Sequence, residues 1–246
     1  MRAPRSVLTA AALAAVAIAC GHDATTAATP TAIPAPFDQF TDSVEMSVDG
    51  DYIVIRTTDV PDHPSPYFST SDPRYQAYNG SNPAFVLNPN RILSQQLVFR
   101  IPLHPQKAAA SAATPLGPIG IALNGVAFFN QYAGPGQPLT SEINSFDQGD
   151  GHPQQTGVYH YHAEPFFITS ARGSDALLGF LLDGFPVYGP MENGKLITNA
   201  DLDAYHGHFG PTKEYPNGIY HYHVTATAPY INGAGFYGTA GTVSGG

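Results

Sequence analysis

At 246 residues the chain is long enough for one large all-β domain or two small ones. Only 12% of its residues are charged, and it holds 25 glycines, 23 prolines and no tryptophan, a turn-rich mixture that excludes helix bundles and coiled coils. With Arg2 and Arg5 set aside, 8 basic side chains face 19 acidic ones, a net charge near −11 that disfavours nucleic acid and anionic membranes as partners.

Residues 1–20, MRAPRSVLTAAALAAVAIAC, have the basic start and short apolar run of a secretory signal peptide. They end in AIAC before Gly21, similar to the lipobox of bacterial lipoproteins, which makes Cys20 the lipidated N-terminus of the mature protein; ordinary signal cleavage is the alternative. The address is therefore export, to the cell envelope as a lipoprotein or to the periplasm or exterior. Cys20 is the only cysteine, so the mature fold has no internal disulfide. Residues 21–36, rich in Thr, Ala and Pro, read as a flexible linker. A single β domain is expected over 37–246.

Within it, VEMSVDGDYIVIRTT (44–58) is two alternating runs around Asp49-Gly50, a hairpin signal. Residues 59–94 read as long loops and QQLVFRIPL (95–103) as a strand. The alanine run KAAASAATP (107–115) is hemmed in by Pro105 and Pro115 and is expected to be loop.

From residue 118 the chain repeats itself. GIALNGVAFF (120–129) and GFLLDGFPVY (179–188) each place an Asn-Gly or Asp-Gly turn between two apolar runs. Asn124 and Asp183 are expected simply to make those turns. Loops FDQGDGH (146–152) and LDAYHGH (202–208) follow, then GVYHYH (157–162) and GIYHYH (218–223). The same order twice, about sixty residues apart, predicts two duplicated modules, about 118–167 and 178–228, related by a pseudo-two-fold axis. The fold class is all-β, a turn-rich sandwich or barrel-like form with little helix.

Alternate residues of a strand face opposite ways, so His160 and His162 share one face and Tyr159 and Tyr161 the other. At that spacing two imidazoles can clamp one ion, and His221 and His223 repeat the device. His152 and His208, at equivalent Gly-His positions, complete a three-imidazole set in each half, the ligand set of an open three-plus-water site. Two separate sites and one composite site are both compatible with the spacing. Asp147 and Asp203, five residues before those histidines, either orient imidazoles from behind or stabilise Asx turns. His206 is an auxiliary ligand candidate with no counterpart in the first copy, where Asp150 stands. His22, His63 and His104 are expected in solvent. With no thiolate in the fold, imidazoles suit a divalent transition metal, copper or zinc first. P-loop, dinucleotide-binding and nucleophile-elbow motifs are lacking.

LNGVAFFN, GH followed by GVYHYH, LLDGFPVYGP and EYPNGIYHYHVT together resemble the YHYH-domain family of mostly bacterial, exported proteins, over roughly residues 118–230. The resemblance implies a cysteine two residues before each Gly-His; here Gly149 and Tyr205 stand there. It implies no established activity. The expected function is an exported, lipid-anchored protein that binds copper or zinc, in metal handling. The alternatives are a metal-dependent hydrolase or oxidoreductase with an open three-His site, and a metal-free interaction module. The expected partners are the metal ion and the lipid on Cys20; no protein partner is indicated.

Overall fold

A computed structural model describes residues 32–233 and 235–245. The expected signal peptide with Cys20, His22 and most of the expected linker lie outside the described residues. Among the described residues no helix is long and apolar enough to cross a membrane.

Gly50 takes a positive φ of 59°, and this closes the expected first hairpin. Strands β1 (Val44–Asp49) and β2 (Tyr52–Thr57) pair antiparallel from Val44↔Thr57 to Asp49↔Tyr52. β3 (Leu97–Pro102) pairs with β2 and turns Leu97, Phe99 and Ile101 inward while the residues between them are half-buried. Residues 59–94 and the alanine run are irregular, as the prolines and asparagines predict.

The first module supplies β4 (Pro118–Ala122), β5 (Ala127–Phe129), the small ribbon β6 (Tyr132–Ala133) with β7 (Gln137–Pro138), β8 (Gly151–Pro153) and β9 (Tyr159–Tyr161). A short helix, α1 (Phe166–Arg172), links it to the second. There β10 (Leu177–Leu181), β11 (Pro186–Tyr188), the ribbon β12 (Met191–Glu192) with β13 (Lys195–Leu196), β14 (Gly207–Gly210) and β15 (Ile219–His223) follow in the same sequence. β16 (Thr242–Ser244) returns to pair with β3 and completes a four-stranded sheet, β1-β2-β3-β16.

The other eight long strands form one sheet in the order β14-β15-β11-β10-β4-β5-β9-β8, which is a palindrome of the two modules. At its centre β4 and β10 run antiparallel, with Ile121 opposite Phe180, its own counterpart in the repeat. The pairs Gly179↔Ala122 and Leu181↔Gly120 exchange under the same two-fold relation. Glycine is required at this crossing: a Cβ on Gly120 would lie 2.4 Å from the Phe180 carbonyl oxygen, and one on Gly179 2.2 Å from that of Ile121. In each module the histidine strand pairs parallel with the second strand of the hairpin, β9 on β5 and β15 on β11.

Inward side chains of both sheets meet in one core, in which Ile53, Ile55 and Phe99 pack with Ile121, Phe128 and Phe180. Phe37 stacks on Phe180 with ring centroids 4.3 Å apart, so the residue at which the domain was expected to begin sits over the pseudo-two-fold. Fully burying each such side chain contributes roughly 1.5–3 kcal/mol.

Candidate metal centre

Histidine and tyrosine faces separate because β9 and β15 are extended. The tyrosines point into the core, where each hydroxyl needs a partner. Tyr159 donates to Asp147 (2.9 Å) and Tyr220 to Asp203 (2.8 Å). Tyr222 donates to Asp183 (2.6 Å), and Asn124 donates to the Tyr161 hydroxyl (3.1 Å). Burial pushes the phenols of Tyr159, Tyr161 and Tyr222 well up, so they stay neutral.

These bonds correct several sequence-based expectations. Asp147 and Asp203 hold tyrosine hydroxyls and the backbone N–H groups of their own turns (Gly149 and Gly151, Tyr205 and Gly207). Among the described residues no imidazole nitrogen is bonded to either, so the orienting role behind the histidines does not hold and the Asx turn does. Asn124 and Asp183 do more than make turns, since each also anchors the second tyrosine of its strand. His63 is buried: its Nε2 lies 2.8 Å from the Tyr161 hydroxyl and its ring stacks on Phe167. A Cβ on Gly149 would lie 2.6 Å from His63 Cε1, so that ring takes the room of any side chain at 149. His104 is exposed, as expected.

His152 and His208 are on strands, not loops. His152 pairs directly opposite His160, and His208 opposite His221. The glycine before each makes way for a tyrosine ring: a Cβ would lie 2.5 Å from Tyr159 at Gly151 and 2.6 Å from Tyr220 at Gly207. Cross-strand neighbours on one face have their Cβ atoms roughly 4.5–5.5 Å apart. With the i, i+2 partner they gather three imidazoles at one place.

The chain therefore builds two separate clusters rather than one composite site. His152, His160 and His162 form the first; Glu192, His208, His221 and His223 form the second; within each, one ligand atom per residue lies within 4.8 Å of all the others. Nitrogen polarity is set by acceptors at the outer edge of five of the six rings, all but His208. In the first cluster, His160 Nδ1 meets the Val158 carbonyl (3.2 Å) and His162 Nδ1 the Asn130 carbonyl. His152 Nδ1 meets Ser145 Oγ (2.7 Å), whose own hydrogen goes to the Glu142 carbonyl. In the second, His221 and His223 donate to the Ile219 (3.0 Å) and Gly189 (2.8 Å) carbonyls. Asn130 and Gly189 occupy equivalent places in the repeat, as do Val158 and Ile219.

A carbonyl only accepts, so these Nδ1 atoms carry the hydrogens and the Nε2 lone pairs face one another. His160 and His162 Nε2 are 3.0 Å apart, as are His208 and His221 Nε2. His152 Nε2 and His223 Nε2 are buried without a hydrogen-bond partner. Glu142 Oε1 lies 3.4 Å from His152 Nε2 but outside hydrogen-bond geometry. Burial, with a neighbouring imidazole, pushes His152 down to about 3; burial pushes His162 and His223 to about 4 and His160 well below its usual range. These four rings are thus neutral, the form that binds metal. Two nitrogens on one tetrahedral ion are roughly 3.3 Å apart at bonds of about 2.05 Å, so the spacing and donor set fit a transition-metal ion.

His206 stays outside the second cluster: its Nε2 lies 3.0 Å from Thr225 Oγ1 and 3.2 Å from Asn199 Oδ1. It and Asp150 hold the same positive-φ turn position, at 75° and 62°, which is what the two share. The spacing argument missed Glu192, whose oxygens lie 3.3 Å from His221 Nε2 and 3.5 Å from His208 Nε2. The readable signal was the Asn193-Gly194 turn directly after it, which marks β12–β13 as a hairpin.

The YHYH protein family model matches residues 98–195 and 191–235, more than half of the chain. No curated protein and no solved structure matches it.

Proposed function

The chain belongs to the YHYH protein family, and we propose that it is an exported protein that binds a divalent transition metal, copper or zinc, in each of its two histidine clusters. One observation carries this reading: in the first cluster the buried, neutral imidazoles of His160 and His162 turn their Nε2 lone pairs on one another at 3.0 Å with no hydrogen between them, because both Nδ1 atoms donate to carbonyls. Neutral lone pairs at that distance repel, and a shared cation removes the repulsion. A metal-free module would leave His152 and His223 Nε2 unsatisfied, at a cost of roughly 1–3 kcal/mol each.

In this reading residues 1–20 direct export and Cys20 carries a lipid, which holds the metal-binding domain at the cell envelope for metal handling. His152, His160 and His162 ligate one ion, and His208, His221 and His223 the other, with Glu192 added to the second set. A metal-dependent hydrolase or oxidoreductase is the second reading. What favours it is the half-exposed side of the second cluster, where His208 and Glu192 meet solvent.

Titration of Zn(II) or Cu(II) into untagged, metal-stripped protein tests the proposal by calorimetry. Two equivalents are expected, and one each is lost in His160→Ala and His221→Ala. Binding weaker than that of free surface histidines, or unaffected by either substitution, overturns it.

A further inference from the structure

The two clusters share a ligand pattern but not a setting. We propose that they divide the work: the first holds its ion captive, and the second is the site through which metal is taken up and released. This rests on the metal-binding reading above and adds which site exchanges.

The first cluster is closed. All three of its histidines are 2% exposed, and the one carboxylate nearby, Glu142, reaches only His152 and does not join the group of converging ligand atoms as Glu192 does. Phe129 stacks on His160 at 3.9 Å between ring centroids, and Phe146 covers His152 and His162 at 4.9 and 5.7 Å. An ion there is walled by aromatic rings, and its ligands cannot leave one at a time without opening the core.

The second cluster keeps one ring, set farther off, and has lost the other: the Tyr188 centroid lies 5.3 Å from that of His221 and 6.3 Å from that of His223. Tyr188 replaces Phe129, and its hydroxyl is drawn outward to Thr212 (2.7 Å) and Glu214 (2.8 Å). Leu202, half-buried, stands at the position of Phe146. His221 and His223 remain buried, but the side chains of His208 and Glu192 are 27% and 23% exposed.

The fourth donor also sits on an outer element. Glu192 lies on β12, whose partner β13 is fully at the surface, with Leu196 59% exposed. A carboxylate on an exposed two-residue ribbon can meet a hydrated cation in solvent and hand it to the imidazoles behind. It also cancels part of the ion's charge, which three neutral imidazoles cannot do. Glu192 and His208 are therefore the first ligands gained on loading and the first lost on release, while His221 and His223 hold the ion throughout.

The test is chelator competition on the full chain without a histidine tag, loaded with Co(II) or Zn(II) and mixed with excess EDTA. Of two bound equivalents, one is expected to leave at least about tenfold faster than the other. Glu192→Gln, a conservative change at a half-exposed position, accelerates the fast phase by about tenfold or more, the range for loss of a supporting ligand, and leaves the slow phase unchanged. His160→Ala deletes the slow phase alone, with the far-UV circular dichroism of both variants recorded to confirm folding. Two equivalents leaving at one rate, or a slow phase that responds to Glu192→Gln, overturns the division of labour while metal binding stands. Failure to load any metal overturns both.

Discussion

The four tyrosines of the two YHYH strands explain why the motif alternates. Each histidine is held in place by the residue beside it, because the tyrosine on the opposite face is locked to a carboxylate, amide or imidazole in the core. Gly151 and Gly207 belong to the same device. Gly151→Ala puts a methyl group 2.5 Å from the Tyr159 ring and is expected to cost about 1–3 kcal/mol by overpacking. Urea denaturation measures this, and a cost near zero would show that the ring has room to move. Asp183 makes a second prediction. Burial lifts its carboxyl to about 6 from 3.8, so between those pH values the folded chain keeps a proton that the unfolded chain has lost. Stability therefore falls as pH rises through that window. Asp183→Asn, the residue type found at the equivalent Asn124, removes this share of the slope. A stability profile over pH 3.8–6 with unchanged steepness in the variant would contradict the assignment.

At the scale of elements, the sheet is organised from its centre. β4 and β10 approach so closely that Gly179→Ala would set its Cβ 2.2 Å from the Ile121 carbonyl. The variant is expected to lose at least about 1–3 kcal/mol of stability by overpacking, while the Gly50→Ala change, in open space at a tip, loses only its positive-φ cost of roughly 1 kcal/mol. Comparing their melting temperatures checks the order. The hairpins were legible in sequence because Asp-Gly and Asn-Gly turns declare themselves locally. So was the duplication, since its landmarks recur in order. The strands β8 and β14 were not legible: three or four residues that begin with glycine carry no alternation to read, and they looked like loops. The parallel pairing of β9 on β5 and β15 on β11 is set by contacts distant in the chain. For the same reason no local signal tied His63, about one hundred residues earlier, to Tyr161.

For the whole molecule, the palindromic sheet sets the histidine strands next to its two edges, so one duplicated motif makes two clusters rather than one. Any ion bound only by the folded chain stabilises it by mass action, about 2.7 kcal/mol per site at a hundredfold excess over Kd. Zn(II) is expected to raise the melting temperature of the parent protein, and by less in His160→Ala, which keeps only one of the two sites. Calorimetric scans with and without EDTA measure the difference. At the same scale, Cys20→Ser is expected to move the protein from the membrane to the soluble fraction, and retention in the membrane fraction would rule against the lipid anchor. The central claim is geometric and has a direct test in anomalous diffraction at the metal edge from crystals grown with Zn(II). Two anomalous peaks are predicted, each about 2.0–2.1 Å from the facing Nε2 atoms, one among His152, His160 and His162 and one among His208, His221 and His223. Peaks confined to surface groups such as His104, or none at either cluster, would contradict it.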